Sequence, residues 1–167
     1  EQKVALNNVS FSVRRGEILG IAGVEGNGQR ELIDCISALE TSFSGSIELL
    51  GMSNKLSYSV KNLRSHGMNH IPEDRLVYGV NAEASIQDNL ISNRFDAKEF
   101  QKGIFTNQKK ITEEANALIK QYQVKTESKD TLIRMLSGGN MQKVVAAREM
   151  STNMTILIAD QPTRGID

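Results

Sequence analysis

The run Ile18-Leu19-Gly20-Ile21-Ala22 is continuously apolar and opens directly into Gly23-Val24-Glu25-Gly26-Asn27-Gly28. Beyond that loop Leu32, Ile33, Ile36 and Leu39 recur at helical spacing. A continuous apolar run predicts a strand covered on both faces, and strand, glycine loop and helix in this order constrain the chain to an α/β architecture. Such loops are also where backbone N–H groups at a helix N-terminus wrap phosphates. Upstream, Val9, Phe11 and Val13 alternate with Ser10, Ser12 and Arg14, the period of a half-buried strand, and Arg15-Gly16 turns the chain.

Downstream, Ser46-Ile47-Glu48-Leu49-Leu50 reads as a strand ended by Gly51, and Met68-Asn69-His70-Ile71 as a short strand bounded by Pro72. From about Ser85 to Met150 the pattern turns helical. Ile111, Ala115, Leu118, Ile119 and Tyr122 share one helical face, with Lys109, Lys110, Glu113 and Glu114 on the wet one. Ser137 to Met150 predicts a further helix, and the chain returns to strand over Thr155–Asp160. The expected organisation is an α/β core with a mainly parallel sheet and an antiparallel β start over 1–84. A helical subdomain follows over 85–150, with a return to the core over 151–167.

Two motifs in the last third carry chemistry. Leu136-Ser137-Gly138-Gly139-Asn140-Met141-Gln142-Lys143 starts the helix, so its hydroxyl and unpaired backbone N–H groups converge where the helix dipole favours an anion. Ile156-Leu157-Ile158-Ala159-Asp160-Gln161-Pro162-Thr163 delivers a carboxylate, Asp160, to a strand end, where it would hold Mg²⁺. The first glycine loop fits the phosphate-loop frame G-x-x-x-x-G-K-[ST] only in part. Gln29 stands at the lysine position and Arg30 at the Ser/Thr position. A cation about 4 Å from a phosphate is worth about 4 kcal/mol at an effective dielectric near 20, and Gln29 supplies no charge. Arg30 would repel the metal. Gln161 follows Asp160 where a carboxylate would polarise water; a positioned base contributes about 10²–10⁴-fold, and an amide cannot take the proton.

Composition narrows the class. Lys plus Arg and Asp plus Glu both number 20, which removes the basic excess that capture of nucleic acid requires. The one cysteine, Cys35, excludes an internal disulfide and sits among apolar helix positions as packed core. No apolar stretch reaches the roughly 18 residues of a membrane span, and Glu1-Gln2-Lys3-Val4 is no signal peptide. His66 and His70 lie four apart, but Gly67 and Pro72 oppose a helix that would pair them on a metal. Glu25 reads as a solvated loop tip.

The order of glycine loop, Leu-Ser-Gly-Gly-Asn-Met-Gln, Ile-Ala-Asp-Gln-Pro-Thr and Arg164-Gly165-Ile166-Asp167 resembles the nucleotide-binding domain of ABC transporters, over nearly the whole chain. In that family these are the Walker A, signature, Walker B and D-loop motifs of a P-loop NTPase fold. Gly67-Met68-Asn69-His70-Ile71-Pro72-Glu73-Asp74-Arg75, followed by Asn89-Leu90, is similar to the second, C-terminal half of fused importers for simple sugars or nucleosides. Glu73 then stands where most members carry the Q-loop glutamine.

The resemblance implies ATP, with Mg²⁺, as the cofactor. Nucleotide would be held by Gly23, Gly26, Asn27, Gly28, Gln29, Arg30, Glu31 and Glu73, the metal weakly by Asp160, and the catalytic position would be Gln161. Ser137, Gly138, Gly139 and Gln142 would act in trans on the ATP of a partner half, with Asp167 in the D-loop. The implied partners are the first half of the same longer protein and transmembrane permease subunits, met near Glu73–Asn89 on the cytoplasmic face of the membrane. ATP hydrolysis would be weak or absent in this half. No aromatic precedes Phe11 to stack an adenine, and the chain stops inside the D-loop, as a fragment would. The alternative is a soluble ABC-type ATPase of translation or DNA repair, which co-purification with ribosomes or nucleic acid would reveal.

Overall fold

The computed structural model describes residues 4–55 and 58–165, and the chain divides into two compact units, Glu1–His66 and Gly67–Asp167. In the first unit the glycine loop leads into α1 (Gln29–Ile36), followed by β1 (Glu48–Leu49), β2 (Met52–Ser53) and α2 (Val60–Ser65). β1 and β2 form an antiparallel hairpin, Glu48 opposite Ser53 and Leu49 opposite Met52. Its two turn residues, Leu50 and Gly51, both have positive φ, as the tight turn matching strand twist demands. Asn54 braces the hairpin: its Oδ1 accepts from the Ile47 amide at 3.0 Å and its Nδ2 donates to Gly45 O at 3.2 Å. Ser59 caps α2 by accepting from Asn62 N, and Leu63 is fully buried.

The expected strands at 9–13 and 18–22 differ from what is observed. The turn between them forms, with Glu17 N donating to Arg14 O at 3.1 Å and Gly16 at φ 79°. Neither segment joins a ladder among the described residues, and Ile18 is 97% exposed. Side-chain alternation marks a segment fit to be a strand, but the strand exists only when a neighbour takes its backbone bonds. The strand expected over Ser46–Leu50 shrinks to β1 for the same reason: only the hairpin partner supports it. Leu39 lies beyond α1 and is exposed, so the first helix is shorter than its apolar spacing suggests.

The second unit carries a parallel pair, β3 (Met68–Ile71) beside β6 (Ile156–Ala159), in the register Met68 opposite Ile156 through Ile71 opposite Ala159. Between them run α3 (Ile86–Ile91), the hairpin of β4 (Gln101–Lys102) and β5 (Phe105–Thr106), α4 (Gln108–Gln121) and α5 (Gly138–Met150). The α4 face read from sequence packs as expected: Ile111, Ala115 and Leu118 are buried, while Ile119 and Tyr122 lean on the core. Ile86, Leu90, Ala115, Leu118, Val144 and Ala147 unite the three helices in one cluster. This is a mixed α/β arrangement with a parallel sheet and a helical insertion.

A buried polar network ties α5 to β3. Asn69 Nδ2 donates to Glu149 O and, at 2.6 Å, to Thr152 Oγ1, and His70 N donates to Glu149 Oε2 at 3.4 Å. Glu149 also pairs with Arg148 at 2.8 Å, both side chains withdrawn from water. Such a pair is costly to break, because removal of one partner strands a buried charge. The network therefore anchors the C-terminal end of α5 against β3.

Candidate functional site

In the first unit Gly28, at φ 97°, serves as the N-cap of α1 and turns the chain into the helix. Gln29, the first helical residue, folds its side chain back over the loop. Its Nε2 donates to Val24 O at 3.1 Å and lies so close to Gly23 that a Cβ there would collide with it. Asn27 N donates to the same Val24 carbonyl at 3.2 Å, closing the loop from the other side. Arg30 turns along the helix toward Asp34, Nε to Oδ2 3.8 Å. Gly23, Gly26, Asn27 and Glu31 are exposed; Glu31 sits in the first turn, where its charge complements the helix dipole.

Behind the loop Cys35 is buried, and burial first, then Glu40, Asp34 and Glu31, raises its thiol pKa. Tyr58 seals the helix end, its hydroxyl donating to Ile36 O at 2.5 Å. Burial, with Cys35 second, pushes its pKa up to about 12.

The second unit assembles the other motif residues. Ser137 caps α5: its Oγ accepts from Asn140 N at 3.4 Å and from Asn140 Nδ2 at 3.0 Å. The first-turn amides of Gly138 and Gly139 have no carbonyl one turn back to bond, so they remain donors for an external oxygen. Ser137 is exposed and the two glycines are half-buried. Gln142 differs from the expectation that it lines this turn. It is 1% exposed, on the inward side of α5, and its Nε2 donates to Pro162 O at 3.1 Å. Its amide is committed to the chain that follows β6 and is withdrawn from solvent.

Asp160 ends β6, held by its amide bond to Ile71 O at 2.9 Å. Gln161 follows with φ 45°, a left-handed conformation uncommon outside glycine and frequent at functional turns. Its Nε2 donates to Glu73 Oε1 at 2.8 Å, and Arg164 Nη1 donates to the same oxygen at 2.7 Å. The structure thus brings Glu73 and Gln161 together, and adds two residues to which the sequence assigned no role. Arg164 is one. Arg75 is the other: its Nη1 donates to Arg164 O at 3.4 Å, and its Nη2 lies 2.5 Å from where a Cβ on Gly138 would stand. A guanidinium and a helix N-terminus therefore present positive charge side by side. The Pro-Glu-Asp-Arg run was the available signal, but nothing in it indicated contact with residues about 90 positions away. Asp167 lies outside the described residues. His66 ends α2 and His70 lies within β3, so no helix carries the pair.

Comparison with known proteins gives this geometry a setting. Guanosine import ATP-binding protein NupO of Bacillus subtilis is 38% identical over 162 residues, 97% of this chain and 32% of that protein. Glucose import ATP-binding protein TsgD13 of Haloferax volcanii is 38% identical over 165 residues, 98% of this chain and 30% of that protein. The chain thus spans about a third of the length of these relatives. Among solved structures, the dimeric post-hydrolysis state of the ATP-binding cassette MJ0796 bound to ADP and Pi superposes with a TM-score of 0.79. It is 20% identical and is matched over 98% of this chain and 68% of that one, a likeness of fold. The family model described as ABC transporter matches residues 6–164, from ahead of the glycine loop to beyond the Asp160 strand end, and the chain belongs to that family.

Proposed function

We propose that this chain is the second ATP-binding half of a fused importer protein for simple sugars or nucleosides. It lends the Ser137-Gly138-Gly139 turn to the ATP of the first half, while its own glycine loop is a weak site that does not hydrolyse. The substrate class is supported by the relatives, whose names specify guanosine, glucose, ribose and xylose import. The second-half assignment is supported by the resemblance carried by Ile71-Pro72-Glu73-Asp74-Arg75. On this reading the segments 1–84, 85–150 and 151–167 of this half act as core, helical subdomain and return strand. Permease subunits bind the assembly at the cytoplasmic face, and no described helix is long and apolar enough to cross a membrane.

The observation that carries the asymmetry is the position of Gln29. A neutral amide, already bonded to Val24 O, occupies the inside of the loop where a cation would meet phosphate oxygens. Position 30 offers a guanidinium directed at Asp34 instead of a hydroxyl oxygen for a metal. This donor set does not fit a Mg²⁺-triphosphate. The Ser137 turn has the opposite character: open amides, a hydroxyl, and the Arg75 guanidinium beside them. Such a turn grips an anion held by another subunit and needs no metal of its own.

Isothermal calorimetry of the chain with ATP, with and without Mg²⁺, tests the reading. Weak binding that Mg²⁺ leaves unchanged within about twofold is expected. Tight binding that depends on Mg²⁺ would overturn it.

A further inference from the structure

The segment after β3 holds the chain that follows β6 at two points. Glu73 Oε1 accepts from Gln161 Nε2 and Arg164 Nη1, at 2.8 and 2.7 Å, so one carboxylate oxygen binds both ends of the turn 161–164. Arg75 takes the opposite pole: it donates to the Arg164 carbonyl and its guanidinium lies within 3.6 Å of where a Cβ on Gly165 would stand. The same guanidinium rests on Gly138, at the first residue of α5, where no side chain could be added without displacing it. Among the described residues the Arg75 Nε has no hydrogen-bond partner, so the group is held by this packing more than by bonds along its stem. Asp74, between the two, caps a helical turn over Arg75–Gly79 by accepting from Leu76 N and Val77 N, which fixes the spacing of its neighbours.

We propose that Glu73 and Arg75 form a clamp that positions the turn 161–165 against the N-terminus of α5. Glutamine at 161 belongs to this clamp as the amide that a carboxylate at 73 requires. Two carboxylates at these positions would face each other across the distance the hydrogen bond now spans, and like charges that close cannot both ionise freely. The clamp therefore explains why an amide follows Asp160, and it joins the strand end to the turn that would meet a partner's phosphate. Glu73 and Arg75 are positioning residues. Their consequence for turnover rests on the trans reading above, whereas their effect on the turn does not.

Amide hydrogen exchange of the full-length protein, resolved at residues 163–165, tests the clamp. Glu73→Ala should speed exchange there about fivefold, the size a partly exposed ion pair supports, and Arg164→Ala by no more than that. The double variant should be no faster than Glu73→Ala alone, which already removes both contacts. Gln161→Glu alone should loosen the turn similarly, and adding Glu73→Gln should bring exchange back to within about twofold of the parent. Unchanged exchange in the single variants would overturn the proposal, as would additive effects or a failure of the Glu73→Gln rescue. Glu73 and Arg164 are outside the core, with 28% and 57% of their side chains exposed, so unfolding is not expected to intervene. If the trans reading fails while the clamp holds, exchange changes as described and ATP turnover does not.

Discussion

Ser137→Arg in the full-length protein should lower ATP turnover about 10²–10³-fold, the loss seen when preorganised donors are withdrawn from a developing phosphate charge. The substitution acts twice. It removes the hydroxyl that caps α5 through Asn140, and it places a long side chain over the open amides of Gly138 and Gly139. Arg75 already rests on Gly138, so a second guanidinium would crowd and repel the first. Ser137→Ala separates the two causes: loss of the cap alone costs about 1 kcal/mol of helix stability and leaves the turn open. A large fall for arginine with a modest one for alanine identifies obstruction of a bound phosphate. Near-normal turnover by the arginine variant would contradict the trans role.

The second large effect concerns the glycine loop. Gln29→Lys together with Arg30→Ser should tighten binding of Mg-ATP by about 10²-fold or more, since a restored cation near phosphate is worth a few kcal/mol. The lysine frees Val24 O from its present amide donor and points charge into the loop; the serine removes the guanidinium from the metal's position. Calorimetry of the parent and the double variant checks it, and equal affinity would mean that the loop is not a nucleotide site at all. Gln161→Glu should not be added alone, because Glu73 stands against it at 2.8 Å. A functional rebuilding of the strand end needs Glu73→Gln as well.

Much of the second unit could be read from residues in order. The α4 face, the capped start of α5, and the short strands at Met68–Ile71 and Ile156–Ala159 are local patterns, and each is set by neighbours within a turn or two. What could not be read depends on partners distant in sequence. Glu73 meets Gln161 across 88 positions and Arg164 across 91, and spacing carries no trace of that. Gln142 illustrates the same limit within one motif: the resemblance groups it with Ser137, Gly138 and Gly139, whereas its side chain is buried and bonded to Pro162 O, 20 positions away. Residues 9–13 and 18–22 failed in the other direction, since their apolar pattern was real and their ladder partners are absent among the described residues. Composition excluded classes of function but located nothing.

Vanadate trapping of the full-length protein with Mg²⁺ and ATP, followed by photocleavage and mass spectrometry, locates the hydrolysed phosphate. Cleavage at Ser137, with none over residues 23–30, is the predicted result. Cleavage within residues 23–30, with Ser137 untouched, would contradict the account.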